Sequence, residues 1–389
     1  MPPRPWVLSL ASVTLLSATG CADLLGYDEY SARGREATAP LTDAVVDVAV
    51  DTSVQDADAG EQPIHPPPRP AGPVEPSGKG RTVWLVVDHF FLAQEVGGGS
   101  TDRPWRRIGY DVDNVCTGER ESRENVGTCR RPAGADQMSL LDGDRCRDNN
   151  FGSQIIPLVS AFDSEFERTA NDQVKKGAST WLLKLEDLDD GPDDPYVVGK
   201  LYRAATWWDY GASAPRFDGT DLRDVEEDSV YDGDLERPKT LFASGWLAGN
   251  VFVSGEPSKF EITLPIQSTS IRMPVVGAVV TLRLDATHDV GEAGIMGGAV
   301  PGSAIETVFR PIAELTGVCP GAPLYDSFIR SFARMMDVVT DAPNLQDTTL
   351  TCDALSIGIG VTAVRAQPPS RVVRPYVKPS ICDDAGGGG

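Results

Sequence analysis

The chain is poor in histidine and in positive charge, and it has no long apolar run. Its 389 residues include three histidines, His65, His89 and His288, which leaves little material for imidazole acid–base chemistry. No Gly-x-Ser-x-Gly elbow, no His-Glu-x-x-His pair and no lysine-bearing glycine loop occurs, so the usual marks of serine hydrolases, zinc proteases and phosphate loops are missing. Thirty-five lysines and arginines stand against 57 aspartates and glutamates, a net charge of −22. Nucleic acid is a poor partner for such a chain, because displacing counterions from phosphates takes clustered Lys and Arg. Anionic headgroups repel it too.

The longest apolar stretch, residues 7–16, is ten residues, whereas a membrane-spanning helix takes roughly 20. It follows Arg4 and leads into Ser17-Ala18-Thr19-Gly20-Cys21. A basic start, an apolar centre and small residues at the end make a secretory signal. The Gly-Cys ending resembles a bacterial lipobox, although Ala18 stands where Leu is commonest. The expectation is cleavage before Cys21, lipidation of Cys21 and anchorage through the lipid. Ala22 in place of an acidic residue points to the outer membrane. Losing residues 1–20 removes the single charge of Arg4 and takes the net charge from −22 to −23.

Setting Cys21 aside leaves six cysteines, Cys116, Cys129, Cys146, Cys319, Cys352 and Cys382. An even set in an exported chain reads as disulfides, although sequence does not fix their partners. Their grouping suggests Cys116–Cys129 and Cys319–Cys352 as local pairs, with Cys146–Cys382 tying the end back to an early loop.

Between Glu36 and Glu61 there are seven acidic residues and no basic one, and a proline-dense run follows from Pro63 to Pro76. Without aromatics this segment buries too little to offset its ordering entropy. The layout expected is therefore a signal peptide at 1–20, a lipidated and disordered acidic and Pro-rich spacer at 21–80, one β-rich domain at 81–385 and a glycine tail at 386–389.

Within the domain, β-branched and aromatic runs at 82–92, 180–185, 196–205, 241–253, 260–266, 271–284 and 355–366 read as strands. Pro274 and Gly277 would break the longest at a bulge or an edge. Helical spacing appears from Leu324 to Val339, with further helices expected at 155–166 and 303–315. Strands and helices do not alternate, which favours a mainly β domain, an antiparallel β-sandwich with a few inserted helices, over a parallel α/β fold.

The best cluster for chemistry is a pair of Asp-rich segments around the early cysteines. Asp111 and Asp113 lie in the first, and Asp142, Asp144, Asp148 and Asn150 in the second. Ca²⁺ takes about six to eight hard oxygen ligands, which such loops can supply. The EF-hand pattern fails, since Arg147 stands where its glycine and Ser153 where its glutamate would be. The competing role for the same residues is Asx turns and helix caps. Among the tryptophans, Trp181, Trp207, Trp208 and Trp246 could offer a sugar platform. Trp207-Trp208 is the more interesting pair, because alternation turns one of two neighbours outward. His65 falls in the spacer and is expected to join no preformed site.

Gly109-Tyr110-Asp111-Val112-Asp113 with Cys116-Thr117, Asp148-Asn149-Asn150-Phe151-Gly152, and Cys352-Asp353-Ala354-Leu355-Ser356-Ile357-Gly358-Ile359-Gly360 carry a resemblance. The chain resembles a group of lipoproteins typical of myxobacteria, with a Gly-Cys lipobox, an Asp/Ala/Pro-rich spacer and a secreted β-rich domain. The resemblance implies location and architecture but no activity. The fold is also similar to concanavalin-like sandwiches, in which the first and last strands share one sandwich. The function expected is non-catalytic: a displayed head that binds a ligand, a polysaccharide or an envelope protein, or that serves a structural role. The alternative is a secreted hydrolase with an unrecognised carboxylate pair.

Overall fold

Strand β1, Arg81–Phe91, is buried along most of its length because it is covered on both faces. Val83, Leu85 and Val87 join the main core, while Trp84 and Val86 join a second cluster with Leu182, Tyr202 and Val225. Double-sided burial is why β1 reads as a continuous apolar run instead of an alternating one.

The computed structural model describes residues 63–94, 103–161, 163–207, 213–266, 269–315, 317–340, 348–375 and 382. Cys21, Trp208 and the tail at 386–389 lie outside the described residues. The strands after β1 are β2 (Thr180–Leu188), β3 (Asp194–Ala204), β4 (Val225–Glu226), β5 (Val230–Tyr231), β6 (Asp234–Pro238), β7 (Thr240–Ala248), β8 (Val251–Val253), β9 (Ser258–Ile266), β10 (Thr269–Leu284), β11 (Val290–Pro301), β12 (Ala354–Arg365) and β13 (Val372–Val373). The helices are α1 (Glu119–Glu124), α2 (Ile156–Ser160), α3 (Phe166–Lys175), α4 (Ile305–Leu315) and α5 (Pro323–Ala333).

The fold is mainly β and antiparallel, as the sequence suggests, but the strands do not form two separate sheets. β1 pairs with β2 and with β12, and the order continues through β11, β10, β8 and β7. A β3–β7 pairing then closes the sheet into a ring of eight strands. Closure removes edges that two open sheets would expose. First and last long strands are neighbours, with Val86 opposite Val364 and Phe90 opposite Val361.

Several boundaries shift for local reasons. The run 241–253 is a hairpin of β7 and β8, turned at Gly249-Asn250, both at positive φ (55° and 64°). That is the backbone a two-residue hairpin turn demands. Gly277, at φ 59°, marks a bulge in β10 where the register shifts against both β9 and β11. The expected helix at 155–166 is shorter: one π turn, Phe151–Ile155, runs into α2, and a separate polar helix, α3, follows.

The disulfides are Cys116–Cys146, Cys129–Cys352 and Cys319–Cys382, which corrects all three expected pairs. Nearness in sequence is the wrong guide, since the true partners lie 30, 223 and 63 residues apart.

The proline run also departs from its expected role. Residues 63–80, assigned to the disordered spacer, lie along the barrel as a strap. Trp246 donates its indole N–H to the Pro67 carbonyl at 3.0 Å, and Arg69 donates to the carbonyls of Pro195 and Ser244 at 2.7 and 2.8 Å.

Candidate metal centre

Glycines in β11 and β12 let the two Asp-rich loops sit directly on the barrel. A Cβ at Gly358 would come within 2.5 Å of the Ile108 carbonyl oxygen and 2.9 Å of the Asn149 amide. Asn149 fills that close approach: its Nδ2 donates to Ile108 O at 3.0 Å, and its Oδ1 accepts from Gly358 N and Gly152 N, both at 2.9 Å. Asn150 N donates to Ser356 Oγ at 2.8 Å, pinning the second loop to the same strand. The Cys116–Cys146 bridge joins the two loops to each other.

This scaffold brings Asp111, Asp113 and Asp148 together, with a carboxylate oxygen from each within 4.8 Å of the others. All three side chains are buried. Asp113 Oδ1 accepts from Val115 N at 2.8 Å, Asp113 Oδ2 accepts from the Thr128 hydroxyl, and Asp148 Oδ2 accepts from Val112 N at 2.7 Å. Asp111 Oδ1 is buried and accepts no hydrogen bond. Asp142 lies beside the triad, taking Thr117 N at 2.5 Å. Asp337 completes the group, accepting from Ser356 N at 2.8 Å and from the Ser356 hydroxyl.

Burial pushes all five carboxyls upward, and their mutual repulsion adds to it for all but Asp111. Asp113 is raised to about 6 and Asp337 to about 8. Two unit charges about 5 Å apart repel by about 3 kcal/mol at an effective dielectric near 20. Three such pairs approach the whole stability of a typical domain, about 5–15 kcal/mol. A cation held among these oxygens would relieve that repulsion. The donors are all oxygen, which suits a hard cation such as Ca²⁺ better than Zn²⁺, and the unpartnered Asp111 Oδ1 is one free donor for it.

Not every residue read from the sequence joins the site. Asp144 is turned to Arg106, whose Nε lies 2.8 Å away. Asn150 donates to Ser139 O and Met335 O at 2.6 and 2.8 Å, and its Oδ1 accepts from Ser153 and Gln154. It is a clamp with no oxygen left over. Asp337 was missed, because it follows α5 where the stripe of apolar residues suggests that the helix continues.

Trp181 and Trp246 are buried, and the Trp181 indole donates to Thr263 O at 2.7 Å. Trp207 is half-buried under the Arg223 guanidinium and donates to Ser213 Oγ at 3.0 Å. A cleft of about 240 Å³ opens elsewhere, lined by Arg203, Asp228, Glu261 and Arg272. Its carboxylates are engaged: Arg203 meets Glu261 at 2.6 Å and also pairs with Asp228.

No protein-family model matches the chain, and neither does any curated protein or any solved structure.

Proposed function

We propose that this protein is a cell-envelope lipoprotein, anchored through Cys21, whose displayed β-barrel head binds a divalent cation, Ca²⁺, at Asp111, Asp113 and Asp148. The observation that carries the reading is the buried triad, with carboxylate oxygens within 4.8 Å of one another and one of them unpartnered. Asp142 and Asp337 serve as neighbouring acceptors that hold the loops and add to the field drawing the cation in. The cation's work is structural: it neutralises the repulsion that otherwise loosens the two loops against β12. A head stiffened in this way suits non-catalytic display toward a polysaccharide or an envelope protein.

Calorimetric titration of the protein with Ca²⁺ tests the site. Binding near one equivalent is expected, with stabilisation of about 2.7 kcal/mol at a hundredfold excess over Kd. Absence of both heat and stabilisation refutes it. Cys21→Ala should move the protein from the membrane to the soluble fraction, and retention at the membrane would refute the anchor.

A further inference from the structure

The strap of residues 63–80 reaches the carboxylate pocket at one end and runs on to the far side of the barrel. At the pocket, Ile64 bridges the two ligand-bearing loops with its main chain. Its N–H donates to Arg145 O at 3.1 Å, and its carbonyl accepts from Asp111 N at 3.2 Å. One partner is the backbone of a ligand itself. The other is a turn in which Arg145 and Cys146 both hold positive φ, 59° and 60°, a conformation that non-glycine residues rarely adopt. Further on, Arg69 lies 4.6 Å over the Trp246 ring. At the strap's end, the amides of Ser77, Gly78 and Gly80 all donate to the Asp187 carboxylate.

The strap is mostly exposed, so these polar contacts carry its docking. Hydrogen bonds that offset the cost of ordering an exposed chain depend on the spacing of the groups they join, so docking responds to changes in the surface beneath.

We propose that docking of this strap is coupled to cation binding at the triad. The proposal rests on the cation reading above. Without the cation, repulsion among the carboxylates loosens the loops, and the spacing between Arg145 O and Asp111 N that Ile64 bridges is no longer fixed. The strap then leaves the surface that it docks on. Coupling is reciprocal: docking favours the cation by the same factor by which the cation favours docking, so weakening the strap weakens cation binding by at most that factor.

The test uses the full-length protein in detergent with Ca²⁺ alone as the probe. Arg69→Ala removes the Trp246 contact, and Asp187→Asn loosens the other end; neither touches the triad. Each is expected to weaken Ca²⁺ binding by about three- to tenfold, the usual size of a coupling between sites. In the wild type, Ca²⁺ should slow hydrogen exchange at the Ile64, Ser77, Gly78 and Gly80 amides by about tenfold or more, a local opening made rarer. Protection of β1 amides reports that the variants are folded. Equal Ca²⁺ affinity in both variants, with strap exchange indifferent to Ca²⁺, overturns the coupling and leaves the cation site standing. No Ca²⁺ binding by the wild type removes the site and the coupling together.

Discussion

Two regions of this molecule bury carboxylates, and they neutralise them in opposite ways. In the cleft beside β3, Glu226, Asp228 and Glu261 surround Arg203, with Arg272 alongside, and in the same sheet Lys184 and Lys200 share Glu186 and Glu236. Burial raises Glu226 and lowers Arg203, yet each faces an opposite charge at 3.0 Å. That network is closed on itself. The pocket of Asp111, Asp113, Asp142, Asp148 and Asp337 has backbone amides and hydroxyls as its hydrogen-bond partners. Hydrogen bonds relieve part of the desolvation of a carboxylate but leave its charge uncancelled. The contrast separates an ion-pair network that serves the fold from an acidic pocket for which a cation is the proposed countercharge.

The largest effect should come from breaking the closed network. Arg203→Met leaves the buried Glu226 with Arg272 alone, 3.8 Å away, and loss of a buried partner costs about 3–5 kcal/mol. Denaturant unfolding should show that loss equally with and without Ca²⁺. A Ca²⁺-dependent loss would mean that the two regions are not independent.

Asp148→Asn is the matching change in the open pocket, and its sign depends on the cation. Without Ca²⁺ it removes repulsion while an amide oxygen can still accept from Val112 N, so thermal stability should rise by a few degrees. With Ca²⁺ it should lose the stabilisation of about 2.7 kcal/mol expected for the wild type at a hundredfold excess. A pure capping role predicts no such crossing, and melting curves with Ca²⁺ or a chelator distinguish the two.

Much of this contrast was legible in the chain and some was not. The strands of β-branched and aromatic residues could be read because burial demands that composition, as in Val83 to Val87. β11 could not: Gly291, Gly294, Gly297 and Gly298 lower its strand signal, and those at 297 and 298 leave room for Tyr110 and for β10. α3 is a polar helix docked by a few apolar residues, and Asn171 bonds the backbone of Phe90 in both directions. Asp111, Asp113 and Asp148 were readable as loop carboxylates. Which of their neighbours join them depends on long-range packing, since Asp337 arrives through Ser356 of β12 and Asp144 is drawn away by Arg106. The strap was misread because proline density and polarity indicate no core of its own, yet extended chain can dock through carbonyls, one arginine and a tryptophan edge.

The remaining test is the pH dependence of the cation-free protein. Asp113 and Asp337 are raised by burial to about 6 and about 8, whereas unfolded aspartates titrate near 3.9. A folded state that holds its protons more tightly is stabilised by protonation. That contribution is fully present below about pH 4 and is lost as pH rises through about 6 and then about 8. Without Ca²⁺, the melting temperature should therefore fall between pH 5 and pH 8, opposite to what salt-bridged carboxylates would give. A cation in the triad replaces the protons, so saturating Ca²⁺ should flatten the slope, and Ca²⁺ affinity should rise over the same window. Melting curves at several pH values, with Ca²⁺ or a chelator, measure both slopes. Parallel slopes would mean that the pocket keeps its protons and takes no cation, leaving it as closed as the cleft around Arg203.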